Sequence, residues 1–406
     1  MQITSIKICA IFFKLSIFWL IIDCFNGFFI ANGINIPISQ LYKLFISGLL
    51  IIGLLIIQKG IQLVSFIFLY INILILHLSI NTLSPQLGTT INHLFRLILS
   101  VIIYFFIIKY TKQAPIWSYN SINKIFNVST IVVVINILAG LLGFGYSAYY
   151  KGETGLRGYF NAGNELSGVV MILFPYILYK TGLTYGLKSK RYIGTLLILL
   201  TTVALMGTKT ALLVMLLTIP IIPQLFKKKT NVVKLALYFC ITISILGIIL
   251  YHVLDSFGLL NRWLWFYEKG GLERLIFSGR DEFWQEEKIE FYNGNFLIHL
   301  FGLGESRTVE MDPFDALLNY GYVGFILCYS FYVYLLVKSW KYRNKNMIAK
   351  LIFYINILIL GASSFAGHII FSGMASWLIA LINTLVYIPN NVLLSKKDDK
   401  QSISHF

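Results

Sequence analysis

Glu310 lies just outside a helix start, three residues after Arg307, and has no capping role of its own. Pro313 suits the first helical position, which makes Asp312 the N-cap and Asp315 the third helical residue of a capping box. A carboxylate so placed, with a cation nearby, can take a proton as a general base. Glu310 is therefore the candidate general base, with its neighbour Asp312 as the second candidate catalytic acid. Three basic residues suit an anion. Arg157 opens the run Arg157-Gly158-Tyr159-Phe160-Asn161-Ala162-Gly163-Asn164, which leads into an apolar stretch with Asn164 as its N-cap. Free N–H groups at a helix N-terminus, with an arginine upstream, suit a phosphate; an arginine snorkelling beside a glycine-rich turn fits the same residues. Lys209 stands alone in the tight turn Met206-Gly207-Thr208-Lys209-Thr210, where it either serves a site or reaches lipid headgroups. Arg280, in Ser278-Gly279-Arg280-Asp281-Glu282, either binds phosphate or pairs with Asp281 or Glu282. Asn161, Asn164, Arg307, Asp315 and His368 are further polar residues that could touch a substrate.

The chain that must position these groups is apolar: 57% hydrophobic, 12% charged, with mean hydropathy +0.76. Such a composition excludes a soluble domain of this length. Apolar runs of 17–25 residues match the roughly 30 Å of hydrocarbon that a helix must cross. Lipid selects helices over open sheet, because backbone polar groups must be satisfied within the segment. The fold class expected is all-α integral membrane, with about twelve spans at 6–30, 41–58, 61–80, 94–111, 125–146, 164–181, 191–208, 210–226, 232–254, 314–338, 347–366 and 369–392. Only Asp23 is read as an ionisable residue within an apolar run.

Charge orients the spans. Residues 255–312 hold eleven of the 17 Asp and Glu but six of the 33 Lys and Arg, so this stretch carries −5 in a chain of net +16. Basic clusters at Lys109, Lys112 and Lys124, Lys188 to Arg191, Lys227 to Lys229, and Lys341 to Lys345 fall in alternate connections. The positive-inside rule then puts both termini in the cytoplasm and 255–312 outside a cell membrane, plasma or inner. The chain divides into spans one to nine (1–254), an ordered extracytoplasmic loop (255–312), spans ten to twelve (313–392) and a tail (393–406). Within the loop, Arg280 to Tyr292 has the composition of a short amphipathic helix, closed by Asn293-Gly294-Asn295. The dispersed basic clusters are no nucleic-acid signature. Four cysteines inside apolar runs and six scattered histidines give neither a disulfide framework nor a metal site.

Several motifs form an ordered set: Arg-Gly-Tyr-Phe-Asn-Ala-Gly-Asn at 157–164, Gly-Thr-Lys-Thr at 207–210, and Ser-Gly-Arg at 278–280 with Trp284. Then follow Gly-Leu-Gly at 302–304, Glu-Met-Asp at 310–312, Asn-Tyr-Gly-Tyr-Val-Gly at 319–324, and Ala-Gly-His at 366–368 with Ser-Gly-Met-Ala-Ser at 372–376. On this topology the set resembles the O-antigen ligase and polymerase superfamily, the Wzy-type polymerases and their ligase relatives, over roughly 155–376. The resemblance implies a GT-C-like fold and a metal-independent, cofactor-free, inverting glycosyl transfer from an undecaprenyl-pyrophosphate-linked oligosaccharide. Its partners would be that lipid-linked substrate and the membrane lipid, with a flippase and a chain-length regulator alongside. The family's pyrophosphate-binding cations map onto Arg157, Lys209 and Arg280, where the family usually has Arg at the position of Lys209. Ligases place His where Glu310 stands, which favours a polymerase of surface polysaccharide over a ligase. A lipid-linked oligosaccharide transporter is the alternative from another class.

Overall fold

The computed structural model describes residues 2–56, 87–149, 154–226, 259–304 and 308–394, with a few helical positions between 62 and 72 and between 233 and 251. Most of the spans expected at 61–80 and 232–254, the tail after 394 and Arg307 lie outside the described residues.

The described chain is helical almost throughout. In order, the helices that matter here are α1 (Gln2–Ser16), α2 (Trp19–Ala31), α3 (Ile38–Ile56), α4 (Leu87–Gln113) and α5 (Pro115–Leu141). A hairpin of β1 (Tyr146–Tyr149) and β2 (Thr154–Gly158) leads to α6 (Gly163–Tyr185), α7 (Lys190–Met206) and α8 (Lys209–Leu225). Next come α9 (Leu259–Phe277), α10 (Arg280–Tyr292), α11 (Phe296–Phe301), α12 (Asp312–Tyr342), α13 (Met347–Ser363) and α14 (Ser376–Thr384). Among the described residues α3, α5, α6 and α12 are each long and apolar enough to cross a membrane. The run 6–30, expected as one span, is a pair of helices bent by 45°. Trp19 pins the start of α2, stacking on Trp377 at 4.9 Å and donating its indole N–H to the Gly373 carbonyl at 3.1 Å.

α6 is apolar on every face and buried over 83% of a span-length window, the mark of a central helix. It packs against α5, α7, α8 and α13. α5 begins at Pro115, ten residues before the expected start at 125, so Lys124 is an exposed helical residue instead of a connecting one.

Two departures from an all-α chain of simple spans bear on the site. Ahead of α6, β1 and β2 pair as an antiparallel hairpin, with Tyr146 opposite Gly158 and Tyr149 opposite Thr154. The helix expected at 369–392 starts only at Ser376, and residues 364–375 form an irregular strap. Its backbone donors are taken by side chains: Asp312 accepts from residues 368–370, and Ser372 Oγ accepts from Met374 and Ala375. Irregular backbone among apolar helices survives when buried in protein with such partners.

Residues 259–304 and 308–311 form a structured unit. α10 runs over the expected Arg280–Tyr292. A small core of Phe291, Leu303, Val309, Met311 and Leu318 seats the unit on the start of α12, with Trp284 against Phe314 at 4.2 Å. Gly321 breaks α12 at φ 64°, and a Cβ there would meet the Leu300 carbonyl oxygen at 2.4 Å. That close crossing lets the end of α11 lie on α12.

Candidate functional site

Lys209 and Arg280, remote in sequence, converge. Thr208 ends the turn after α7, so Lys209 is the first residue of α8. The helix dipole opposes a cation there. Compensating contacts hold it: Nζ donates to the Leu275 carbonyl at 2.6 Å and the Ser278 hydroxyl at 3.0 Å, and lies 4.9 Å from the Phe266 ring centre. Ser278 and Gly279 both have positive φ, and the turn they make delivers Arg280 as the first residue of α10.

The Arg280 guanidinium donates to Glu310 Oε2 at 3.0 Å and to the carbonyls of Phe277 and Phe365, each at 3.4 Å. Its Nε is buried without a partner among the described residues. The expected pairing of Arg280 with Asp281 or Glu282 does not form, because Arg274 takes both acids, Glu282 at 2.5 Å and Asp281 at 3.4 Å. The Glu282 hydrogen bond first, then the charges of both acids, raise the Arg274 pKa.

Glu310 is 43% exposed where Arg280 is 14% exposed, so the carboxylate faces outward from a more sheltered cation. Its backbone holds φ 58°, uncommon for a non-glycine residue. Gly367 of the strap packs on that turn so closely that a Cβ would sit 2.5 Å from Glu310 Cα. The strap thus fixes the Glu310 turn from behind.

Asp312 is corrected from its expected role. It is not an N-cap: Met311 occupies that position, and Asp312 is the first helical residue, fully buried. Its carboxylate accepts three backbone N–H groups, from His368 at 2.6 Å, Ile369 at 3.0 Å and Ile370 at 2.7 Å. Hydrogen bonds to a charged group contribute about 1.5–3 kcal/mol each, so Asp312 is the staple of the strap. Asp315 makes no capping box with Asp312 either. It reaches back to the Val309 N–H at 2.6 Å and thereby holds the chain just before Glu310. His368, at φ 65°, shares a cleft of about 20 Å³ with Thr308, Asp315 and Arg96.

Arg157 sits at the end of β2. Its guanidinium donates to the Asn161 carbonyl and lies 4.9 Å from the Tyr146 ring centre. Asn136 grips the same hairpin, giving a hydrogen bond to the Arg157 carbonyl and accepting one from the Tyr159 N–H. Asn164 is not the N-cap of α6; Ala162 is, and Asn164 is the second helical residue. Asn161 is exposed and lines a second feature, a cavity of about 380 Å³.

That cavity brings together residues that sequence reasoning missed. Its walls carry two ion pairs, Asp23–Lys43 at 2.6 Å and Arg96–Glu165 at 3.3 Å. Asp23 is therefore not the lone ionisable group among the apolar helices. Lys43 lies in α3 and Arg96 in α4, and Glu165 is in the first turn of α6. The available signal was their isolation inside apolar runs with a net charge of zero, since ionisable groups there need partners. Among the described residues no three His, Cys, Asp or Glu side chains gather as a metal site. No protein family, characterised protein or solved structure matches the chain.

Proposed function

We propose that the protein is a polymerase of surface polysaccharide, a glycosyltransferase joining undecaprenyl-pyrophosphate-linked oligosaccharide repeat units by inverting transfer. On this reading the chain crosses a cell membrane about twelve times, with both termini in the cytoplasm and the stretch 255–312 outside. One observation carries the proposal. Two cations from separate connections, at the N-termini of α8 and α10, converge beside a half-exposed carboxylate. Pyrophosphate finds there Lys209, Arg280 and free helix N–H groups.

The Arg280–Glu310 ion pair gives the reaction an order. A carboxylate bound to Arg280 is held by the group that the pyrophosphate needs. Substrate entry therefore exchanges Glu310 for pyrophosphate on Arg280 and frees the carboxylate. Glu310 then takes the proton from the acceptor hydroxyl as that oxygen forms its bond to the anomeric carbon. The bond from that carbon to the pyrophosphate oxygen breaks on the opposite face, giving inversion. Lys209 and Arg280 stabilise the charge on the leaving group, a contribution of order 10²–10³ in rate per donor in comparable sites. The resemblance assigns Arg157 to the same anion as a third cation; its guanidinium is bonded to the Asn161 carbonyl. The basic side chains supply the charge neutralisation that a metal supplies elsewhere.

The test is the size profile of products from purified protein, lipid-linked repeat units and a chelator. A ladder of lengthening lipid-linked glycans is expected. No new glycosidic bond from cognate units would leave the transport reading. That reading has an observation of its own: the two ion pairs around a cavity among apolar helices, beside a bent first span. Transfer of finished glycan to a lipid or protein acceptor, with no ladder, would mark a ligase.

A further inference from the structure

The 380 Å³ cavity is large enough for a sugar-sized ligand, and the function above leaves it unoccupied by any role. We propose that it binds a sugar bearing a carboxylate, the acid held between Lys43 and Arg96. Gly373 of the strap lies between these two cations: a Cβ on it would be 3.4 Å from Lys43 Nζ and 3.9 Å from Arg96 Nε. Glycine at 373 leaves the space between them open. Each cation keeps donors in reserve. Lys43 gives one N–H to Asp23 and lies 5.9 Å from the Trp19 ring centre, and Arg96 gives one of its five N–H groups to Glu165, with no further hydrogen bond from either among the described residues.

Of the carboxylates, Glu165 is nearly saturated and Asp23 is satisfied at one oxygen. Glu165 accepts from Arg96, from the Ser372 hydroxyl at 2.7 Å and from the Met374 N–H at 3.4 Å. Asp23 Oδ1 accepts from both Ser39 and Lys43, while Oδ2 is buried at the wall with no donor. Surplus donors with one orphan acceptor suit an anion that carries hydroxyls, and amide side chains at Asn26, Gln40 and Asn161 line the rest. Asn161 also ties the cavity to Arg157, whose guanidinium bonds its carbonyl. The assignment of the ligand to a repeat unit rests on the polymerase reading; the carboxylate chemistry does not.

The experiment is saturation-transfer NMR on purified full-length protein in nanodiscs, titrated with glucuronate, glucose and inorganic phosphate. Glucuronate is expected to bind saturably, with glucose at least tenfold weaker. Arg96→Gln should weaken glucuronate at least fivefold. Gly373→Ala tests the same space without removing a charge: its methyl makes only ordinary contacts and should weaken glucuronate several-fold with the fold intact. Equal binding of glucose, or binding untouched by both variants, overturns the proposal. Loss in Arg280→Ala instead places the anion at the other cluster and overturns it too. Phosphate as tight as glucuronate, with the same variant dependence, would make the cavity a lipid-phosphate site and not a sugar site. Glucuronate binding without a ladder sinks the polymerase alone; a ladder without glucuronate binding sinks this site alone.

Discussion

The turn carrying Glu310 and the helix start carrying Asp312 are adjacent in the chain and present the same functional group, yet their surroundings differ in every respect that matters. Glu310 is 43% exposed and bonded to one cation. Asp312 is fully buried and bonded to three backbone N–H groups of the strap. The first carboxylate can change partners when an anion arrives. The second cannot without releasing a segment of the core. Residue type and spacing nominate both as catalytic; only their partners separate the reactive one from the structural one.

That contrast can be broken by substitution. Glu310→Gln should lower turnover by about 10²–10⁴, the usual contribution of a general base, with thermal stability unchanged. A variant with wild-type turnover would remove Glu310 from the chemistry. Arg280→Ala should lower turnover by about 10²–10³ through loss of leaving-group stabilisation, at normal protein abundance. Wild-type product from this variant would end the pyrophosphate assignment. Asp312→Asn should act the other way round, costing about 2–4 kcal/mol of stability from weakened charge-assisted bonds, with turnover per folded molecule within a few-fold. Should Asp312→Asn instead damage turnover more than Glu310→Gln, the two roles are swapped.

Gly367→Ala joins the two regions, because its methyl meets Glu310 Cα at 2.5 Å. A loss of about 1–3 kcal/mol from overpacking is expected, together with slower turnover as the Glu310 turn shifts; normal kinetics would mean that the strap does not position Glu310. Ser278→Ala should be mildest. It removes one of the two hydrogen bonds to Lys209, worth about 1 kcal/mol, and should raise the substrate KM a few-fold with kcat held.

Much of this was legible in order along the chain. The apolar runs mark α3, α5, α6 and α12 because span length and hydropathy are local properties. Arg280 to Tyr292 reads as a helix from its amphipathic composition and the Asn293-Gly294-Asn295 turn that closes it. Lys209 stood out as a lone cation in a turn. What stayed hidden is pairing at a distance. Arg274, not Arg280, takes Asp281 and Glu282, a choice made where α9 folds back against α10. The N-cap assignments of Asp312 and Asn164 failed because capping rules weigh only adjacent backbone. At Asp312 the stronger claim came from N–H groups 56 to 58 residues away.

The sequence by itself determined that the chain is apolar, helical and dense in membrane-length runs, and that its acidic residues concentrate in one hydrophilic stretch. These follow from composition and period, which act over a few turns. Tertiary structure alone decided that 364–375 is a strap and not the start of a helix, and that the lone charges of α2, α3, α4 and α6 meet around one cavity. It also decided that Glu310 faces a cation while Asp312 is buried. The physical reason is shared. A charge among apolar helices is stable only beside its partner, and which partner that is depends on how the helices pack.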